Sequence, residues 1–312
     1  MSLLPAVSVV IPAHNYARFL TSAIDSVLSQ NYPEFELIVV DDGSTDDTKQ
    51  VVARYTDPRV RYIHQENAGL SAARNTGIRN ARFAYVAFLD ADDRWLPGLL
   101  SSVMETFAKL PEDFAMVATA SMRMDAEGRQ VATKPSSRIS ADKEFGARDF
   151  ILRNPSPLSS SVVIRREIFE VCGCFDTTLR SSEDRDMWIR IAACRRVYFI
   201  TRPLALLRRH PHNMSKQADR MKQSMRKVIM KAYHSGTVSH WDAPFWMRVY
   251  SLYYFQISWT HFDEGRRTEA IVYLVTSFVF WPLPFPTARL NVPTLFRLRA
   301  LFHFLFRRRT VA

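Results

Sequence analysis

The chain has 312 residues, 47% hydrophobic and 23% charged; this balance excludes a disordered chain, and the length calls for one large domain with an appendage. The formal net charge of +11 points to an anionic partner, with nucleic acid, anionic lipid and phosphorylated substrate all compatible. Three cysteines, Cys172, Cys174 and Cys194, make neither a disulfide framework nor a zinc site and read as reduced thiols of a cytosolic protein.

The first half alternates apolar strand-like runs with amphipathic stretches. Val7 to Ile11 is expected to be a strand; no basic segment precedes it and Pro12 cuts it short, so it does not read as a signal peptide. Tyr16 to Gln30 is expected to be a helix with Phe19, Leu20, Ala23, Ile24, Val27 and Leu28 on one face. Phe35 to Val40 follows as a strand, and Thr45-Asp46-Asp47-Thr48 opens a helix to about Tyr55, its acids suited to the positive end. A strand from Val60 to His64, a helix from Leu70 to Ala81 and a strand from Ala84 to Leu89 are expected next. Pro97 suits the first turn of a helix to about Leu110, before a strand from Ala115 to Ala120. Such alternation implies a mainly parallel sheet covered on both faces.

Between Met122 and Ser140 the pattern weakens around a turn, Asp125-Ala126-Glu127-Gly128, expected to join two short strands. Leu158 to Arg165 reads as a strand in its second half, Glu183 to Cys194 as a helix and Leu204 to Arg208 as a strand. After His210 the character becomes helical: a basic helix from Ala218 to His234, an aromatic one from Phe245 to His261, and an apolar one from Thr268 to Phe280 ended by Pro282, Pro284 and Pro286. The last apolar run is shorter than the roughly 20 residues a spanning helix needs. Leu295 to Arg309 is a basic amphipathic stretch, and no acid follows Glu269.

Two of the apolar runs end in acids. Phe35 to Val40 leads into Asp41-Asp42-Gly43-Ser44, and Ala84 to Leu89 leads into Asp90-Ala91-Asp92-Asp93. Each cluster would sit at the carboxyl end of a strand, where open α/β sheets bind ligands. Crowded carboxylates repel unless a cation or hydrogen-bond donors join them, and a divalent metal holding a diphosphate is one way to use such a place.

Taken in order, Val7-Ser8-Val9-Val10-Ile11-Pro12-Ala13-His14-Asn15, Asp41 to Thr48, Asn67-Ala68-Gly69-Leu70-Ser71-Ala72-Ala73-Arg74-Asn75-Thr76-Gly77, Asp90 to Asp93, and Ser182-Glu183-Asp184 with Trp188 resemble the motifs of a family 2 glycosyltransferase of bacterial, non-processive type. The match in order and spacing covers roughly residues 5 to 215, and five weak motifs in sequence are together specific. The resemblance implies the α/β GT-A (nucleotide-diphospho-sugar transferase) fold, with a mainly parallel mixed sheet, over residues 1–215 and a helical appendage over 216–312. It also implies roles. Pro12, Ala13, His14 and Asn15 line the nucleotide pocket, His14 standing where the family often has Tyr. Asp42 contacts the base with Asp41 close by, Asn67 belongs to the same pocket, and Arg74 faces the diphosphate. Asp90 meets the ribose or a metal-bound water, Ala91 belongs to the nucleotide site, and Asp92 is the direct ligand of Mn²⁺ or Mg²⁺. His210 joins the metal or a phosphate, with His212 competing for that part. Asp184 is the general base, Glu183 the second choice, and Trp188 a wall for the acceptor sugar.

The residues make chemical sense on their own terms. In extended chain Asp90 and Asp92 point the same way, and hard oxygens suit Mg²⁺ or Mn²⁺ bridging phosphates. Plainer readings stand beside each role: an Asx turn for Asp42, a surface ion pair for Arg74, a cap for Asp93, dipole-complementing acids for Glu183 and Asp184, and core packing for Trp188. The Gln-x-x-Arg-Trp element of processive synthases is absent. The expectation is therefore a single, inverting, metal-dependent transfer from a nucleotide-sugar donor, with UDP as its nucleotide, to a glycan or lipid-linked acceptor in cell-surface polysaccharide biosynthesis. A nucleotidyltransferase would carry a glycine-rich phosphate loop where Pro12-Ala13-His14-Asn15 stands. A membrane-associated adaptor with an inactive domain would have lost Asp92 or Asp184. At the C-terminus, Phe296, Leu298, Leu301, Phe302, Phe304, Leu305 and Phe306 among arginines suit an interfacial helix on anionic lipid, hence a cytoplasmic protein peripheral to the inner face of the membrane. The alternative is a helix packed on the domain. No nucleic-acid motif accompanies the charge, so nucleic acid is not expected as a partner.

Overall fold

The computed structural model describes residues 5–131, 141–152, 157–210, 218–285 and 295–306. The chain divides into two compact units, Met1–Ala147 with Ser156–His210 and Arg148–Pro155 with Pro211–Ala312. The expected boundary after residue 215 falls on 211–217, outside the described residues, as does His212.

The first unit opens with β1 (Val7–Ala13), α1 (Ala17–Leu28), β2 (Phe35–Asp42), α2 (Thr48–Ala53), β3 (Val60–Gln65), α3 (Leu70–Asn80) and β4 (Tyr85–Phe88). It continues with β5 (Arg94–Trp95), α4 (Leu99–Lys109), β6 (Phe114–Met124), β7 (Lys143–Phe145), α5 (Ala147–Ile151), whose last four residues count with the second unit, β8 (Val162–Arg165), α6 (Ile168–Cys172), α7 (Glu183–Cys194) and β9 (Arg196–Arg208). One nine-stranded sheet runs β3-β2-β1-β4-β8-β6-β9-β5, with β7 on β9. The pairs β3-β2, β2-β1, β1-β4 and β6-β9 are parallel, and β8 enters antiparallel between β4 and β6. This is the expected mixed, mainly parallel architecture. β1 and β2 are buried along their whole length, which is why they read as unbroken apolar runs rather than alternating ones.

α1 buries Phe19, Leu20, Ala23, Ile24 and Val27, the stripe its period foretold. α3 lies close on β1 at Gly77, where an added Cβ would collide with the Val10 side chain. α2 begins at Thr48 instead of Thr45, because Asp46 is committed to the preceding loop. Its carboxylate accepts from Thr48 N at 3.1 Å and from Ala17 N at 2.9 Å. The turn at Asp125 closes with Gly128 N donating to Asp125 O at 3.1 Å. The strand before it is longer than expected, β6 running to Met124; after it a bridge pairs Gln130 with Met124 antiparallel, and the rest of the expected second strand lies outside the described residues. β9 is also longer than expected, because its amino-terminal half pairs with both β6 and β7. β5, β7, α5 and α6 span two to five residues, too few to show a period in sequence.

The second unit holds α8 (Ala218–His234), α9 (Ala243–Asp263), α10 (Arg267–Phe280) and α11 (Phe296–Phe306). Asp242 caps α9, accepting from Phe245 N at 3.1 Å. Gly265, at φ 84°, turns the chain into α10. α11 packs on α10 through Ala270, Leu274, Ala300 and Phe304. Among the described residues no helix is long and apolar enough to cross a membrane.

Gly77→Ala tests the α3–β1 approach. Alanine favours a helix over glycine by about 1 kcal/mol, but the buried Val10 side chain has nowhere to move. A net loss of about 1–2 kcal/mol is expected from overpacking, read as a lower urea midpoint, and Val10→Ala in the same chain should relieve the clash while leaving its own cavity cost.

Candidate active site

The carboxyl ends of β1 to β4 gather most of the residues singled out above. β1 and β2 end in register, Pro12 beside Val40 and Ala13 beside Asp41, and both Pro12 and Ala13 are buried. Asn15 then turns the chain at φ 59°, a left-handed conformation Asn tolerates better than most residues. Its Oδ1 accepts from Thr45 N at 2.8 Å and its N–H donates to Ser44 Oγ at 3.0 Å, so the loops after β1 and β2 are stitched together. His14 Nδ1 lies 2.8 Å from the Asp42 carbonyl. A carbonyl only accepts, so Nδ1 carries the proton, and in the neutral ring Nε2 accepts from Asn67 Nδ2 at 3.1 Å.

The two acids after β2 are tied down by neighbours. Asp41 accepts from Ser44 N at 2.8 Å and from the Tyr62 hydroxyl at 2.6 Å. Burial opposes its ionisation, but these bonds outweigh it and hold the carboxyl below its ordinary range. Asp42 accepts from Gln65 Nε2 at 2.6 Å, Ala68 N at 2.9 Å and Gly69 N at 2.8 Å. It therefore anchors the 65–69 segment first. A carboxylate has roughly four acceptor positions, so one remains for a further donor. Gly43 is required here: its φ is 71° and a Cβ would lie 2.8 Å from Asn67 N.

At the end of β4, Asp93 N donates to Asp90 O at 2.9 Å, closing the acidic turn around buried Ala91. Its three carboxylates have three different partners. Asp90 accepts from Arg74 Nη2 at 2.7 Å, and Asp92 lies 2.9 Å from His210 Nε2. Asp93, buried, accepts from Ser160 Oγ at 2.6 Å and from Arg208 N at 2.9 Å. Burial, then Asp92 and Asp90, push the Asp93 carboxyl well above its ordinary value. Asp92 is raised too, by burial and by Asp90, with His210 opposing. Burial and the same two acids push the Tyr16 phenol up to about 12. The His210 ring sits 5.2 Å from Phe19 and 5.9 Å from Tyr16.

Arg74 corrects the sequence reading. Expected against a diphosphate, its side chain is only 2% exposed and bridges Asp90 to Glu183, whose Oε1 accepts from Nη1 at 2.8 Å. Burial lowers its affinity for a proton, but the two carboxylates more than restore it, so it stays charged and serves as a positioning cation. Glu183, the second choice on sequence for a general base, is correspondingly buried and held by this cation. Asp184, next on the first turn of α7, is half-buried and accepts from Arg185 N at 2.6 Å. Trp188 also departs from expectation. It is 1% exposed, its indole N–H donates to Pro157 O at 3.1 Å, and its ring meets Phe175 edge-on. It is a core residue and offers no wall to a sugar.

Among the described residues no three His, Cys, Asp or Glu side chains form a ready-made metal cage. The donor chemistry still fits Mn²⁺ or Mg²⁺. Asp92 and His210 supply one carboxylate and one imidazole side by side, Asp90 adds an oxygen in the same turn, and such ions take most of their remaining ligands from phosphate and water. Sequence reasoning missed Tyr16, Tyr62, Gln65 and Ser160. Ser160 also accepts from Asp90 N at 3.1 Å and so grips both ends of the acidic turn. Its only sequence signal was the run Ser159-Ser160-Ser161 ahead of an apolar strand.

A sequence model described as Glycosyl transferase family 2 matches residues 8–173. An uncharacterized glycosyltransferase of Rickettsia prowazekii is 31% identical over 196 residues, 62% of this chain and 61% of that protein, so the match spans less than two thirds of the relative. Two solved structures are similar in fold. S. aureus TarS 1–349 in complex with UDP-GlcNAc superposes with a TM-score of 0.59 at 17% identity, covering 89% of this chain and 91% of that one. A mannosyltransferase from Pyrobaculum calidifontis in complex with GDP-Man and Mn²⁺ gives 0.64 at 21% identity, covering 97% and 81%.

Two substitutions test this geometry. Arg74→Met strands Glu183 and Asp90 without their cation and should cost about 3–5 kcal/mol in denaturant unfolding, with Glu183→Gln in the same chain recovering part of it. Tyr62→Phe removes a donor to a charged carboxylate and should cost about 1–3 kcal/mol at neutral pH. Because the folded Asp41 carboxyl is depressed, its stabilisation is full above the ordinary carboxylate range and is lost as pH falls through the folded value. The gap between Tyr62→Phe and the parent should therefore close in acid, as unfolding midpoints measured across pH will reveal.

Proposed function

The chain belongs to glycosyl transferase family 2, and from that membership we propose that it transfers one sugar from a nucleotide-diphospho-sugar, a UDP-sugar in the first instance, to a hydroxyl of a glycan or lipid-linked acceptor, with inversion. The observation that supports this reading best is the ion-pair ladder Asp90–Arg74–Glu183, which fastens the first turn of α7 to the acidic turn after β4. It joins two acidic elements from sequence positions about a hundred residues apart, which a set of mere helix caps and turns does not require, and this supports reading them as one site.

The roles follow from what each group has left to do. Asp42 keeps one acceptor position for a base N–H, flanked by His14 and Asn67. Asp92 and His210 would hold the divalent cation, with Asp90 beside them. When bound, that cation neutralises charge building on the departing diphosphate. Asp184 accepts the acceptor hydroxyl's proton as its oxygen forms the new bond to the anomeric carbon and the bond to the diphosphate oxygen breaks. Arg74 does not touch substrate; it keeps Glu183 and Asp90 in register. Cell-surface polysaccharide assembly is the setting in which a single-addition enzyme of this kind would work.

Two variants separate these roles. Asp184→Asn should retain UDP-dependent thermal stabilisation while transfer falls roughly 100- to 10,000-fold, the usual worth of a general base. Asp92→Ala should lose both transfer and the extra stabilisation that Mn²⁺ adds to UDP, with the unfolding temperature of the free protein little changed. Full transfer by Asp92→Ala would sink the metal assignment, and full transfer by Asp184→Asn would sink the base.

A further inference from the structure

Among the described residues fourteen large apolar side chains are exposed, and eleven of them lie between Trp241 and Phe306. They are not scattered singly, as surface apolar residues normally are. On α10, Val272, Val275 and Val279 are exposed at helical spacing, while Ala270, Leu274 and Ser277 are buried on the other side. On α11, Leu298, Phe302 and Phe306 are exposed, while Arg297, Ala300 and Phe304 are buried. The two helices pack together, Arg267 of α10 reaching the carbonyls of Phe304 and Leu305. Each of two neighbouring helices thus has its inner face satisfied and still keeps an apolar outer face in solvent. Apolar surface of that kind normally has an occupant.

The charge says which. No acidic residue follows Glu269, whereas Arg289, Arg297, Arg299, Arg307, Arg308 and Arg309 do. Arg299 is exposed beside Leu298, and a symmetric contact with a second copy would set one acid-free, basic stretch of sequence against another, with no carboxylate after Glu269 to pair them. An anionic lipid surface supplies both an apolar phase and the missing negative charge. With no described helix able to cross a bilayer, the contact would be interfacial. We propose that the outer faces of α10 and α11 form a lipid-binding surface that holds this protein on anionic membrane. Phe304, half-buried Phe296 and half-buried Leu301, all counted with the lipid-facing set on sequence, instead pack inward.

This proposal stands apart from the catalytic reading, and its test does too. The full chain is sedimented with vesicles of phosphatidylcholine alone and with added phosphatidylglycerol. Binding is expected with phosphatidylglycerol, weaker with phosphatidylcholine alone, and reduced by salt. Phe302→Ser with Phe306→Ser, and separately Val275→Ser with Val279→Ser, should each weaken vesicle binding about tenfold or more. Donor hydrolysis and unfolding temperature should stay as in the parent. If the parent does not sediment with anionic vesicles, or if both folded variants bind as the parent does, the proposal falls. A concentration-dependent dimer that both variants abolish, in a parent that ignores vesicles, would assign the surface to a second copy instead. Should the paired variants unfold, the single variants Phe302→Ser and Val279→Ser, at the two most exposed of these positions bar Phe306, decide the matter in the same sedimentation.

Discussion

Three carboxylates within four residues at the end of β4 are the constraint on which the rest of the first unit depends. Left together they would repel, and burial would raise the cost of each charge. The fold gives each a separate solution. Asp90 has a full cation in Arg74, Asp92 has the imidazole of His210, and Asp93 is pushed toward its neutral form between Ser160 and the Arg208 backbone. The partners come from α3, from the end of β9 and from the segment before β8, so the sheet order β4-β8-β6-β9 is what makes the acidic turn tolerable. Arg208 adds a second clasp, with Nε donating to Asp92 O at 2.8 Å while its guanidinium stacks on Phe19.

The sheet was largely legible because its strands are buried on both faces and therefore announce themselves as apolar runs. α7 and α8 match their expected limits, and β1 to β4 and α1 to α4 appear within a few residues of theirs. What the sequence could not disclose is pairing over distance. Arg74 and Glu183 are 109 residues apart, and Ser160 lies 67 residues from Asp93; no periodicity connects such positions. The same blindness explains Trp188. At one turn from an acidic pair it could as well have faced a ligand as the core, and only the packing of Phe175, held to α3 by paired hydrogen bonds with Asn75, decides for the core.

In the second unit the ambiguity was one of sides. The segment from Phe296 to Phe306 carries apolar residues at almost every position, so its sequence cannot say which face is inner. Arg297 resolves it. This guanidinium is 4% exposed and pairs with no carboxylate among the described residues; it donates to Ser277 O, Leu283 O and Ser251 Oγ at 2.7 to 3.1 Å among the rings of Phe278 and Phe285. It thereby joins Trp281 N and Ser251 Oγ at the Ser277 carbonyl and ties the segment after α10 to α11, and burial lowers its proton affinity, to a pKa of about 10. A charged residue buried among these acceptors fixes the rotation of α11, and Leu298 and Phe302 are left outward.

A buried ion pair is seldom a good source of stability, because desolvating both charges offsets much of their attraction. The Asp90–Arg74–Glu183 ladder is better understood through what it decides. Successive residues on a helix diverge by about 100°, so Glu183 and Asp184 cannot both turn toward α3. Arg74 takes Glu183, which leaves Asp184 on a different side of the first turn of α7. The same guanidinium holds Asp90 beside Asp92. One side chain therefore fixes the spacing between the carboxylate proposed to accept a proton and those proposed to sit at the diphosphate, which is the distance a displacement at an anomeric carbon must span. An apolar substitute of equal volume could fill the space, but it would leave that distance unset.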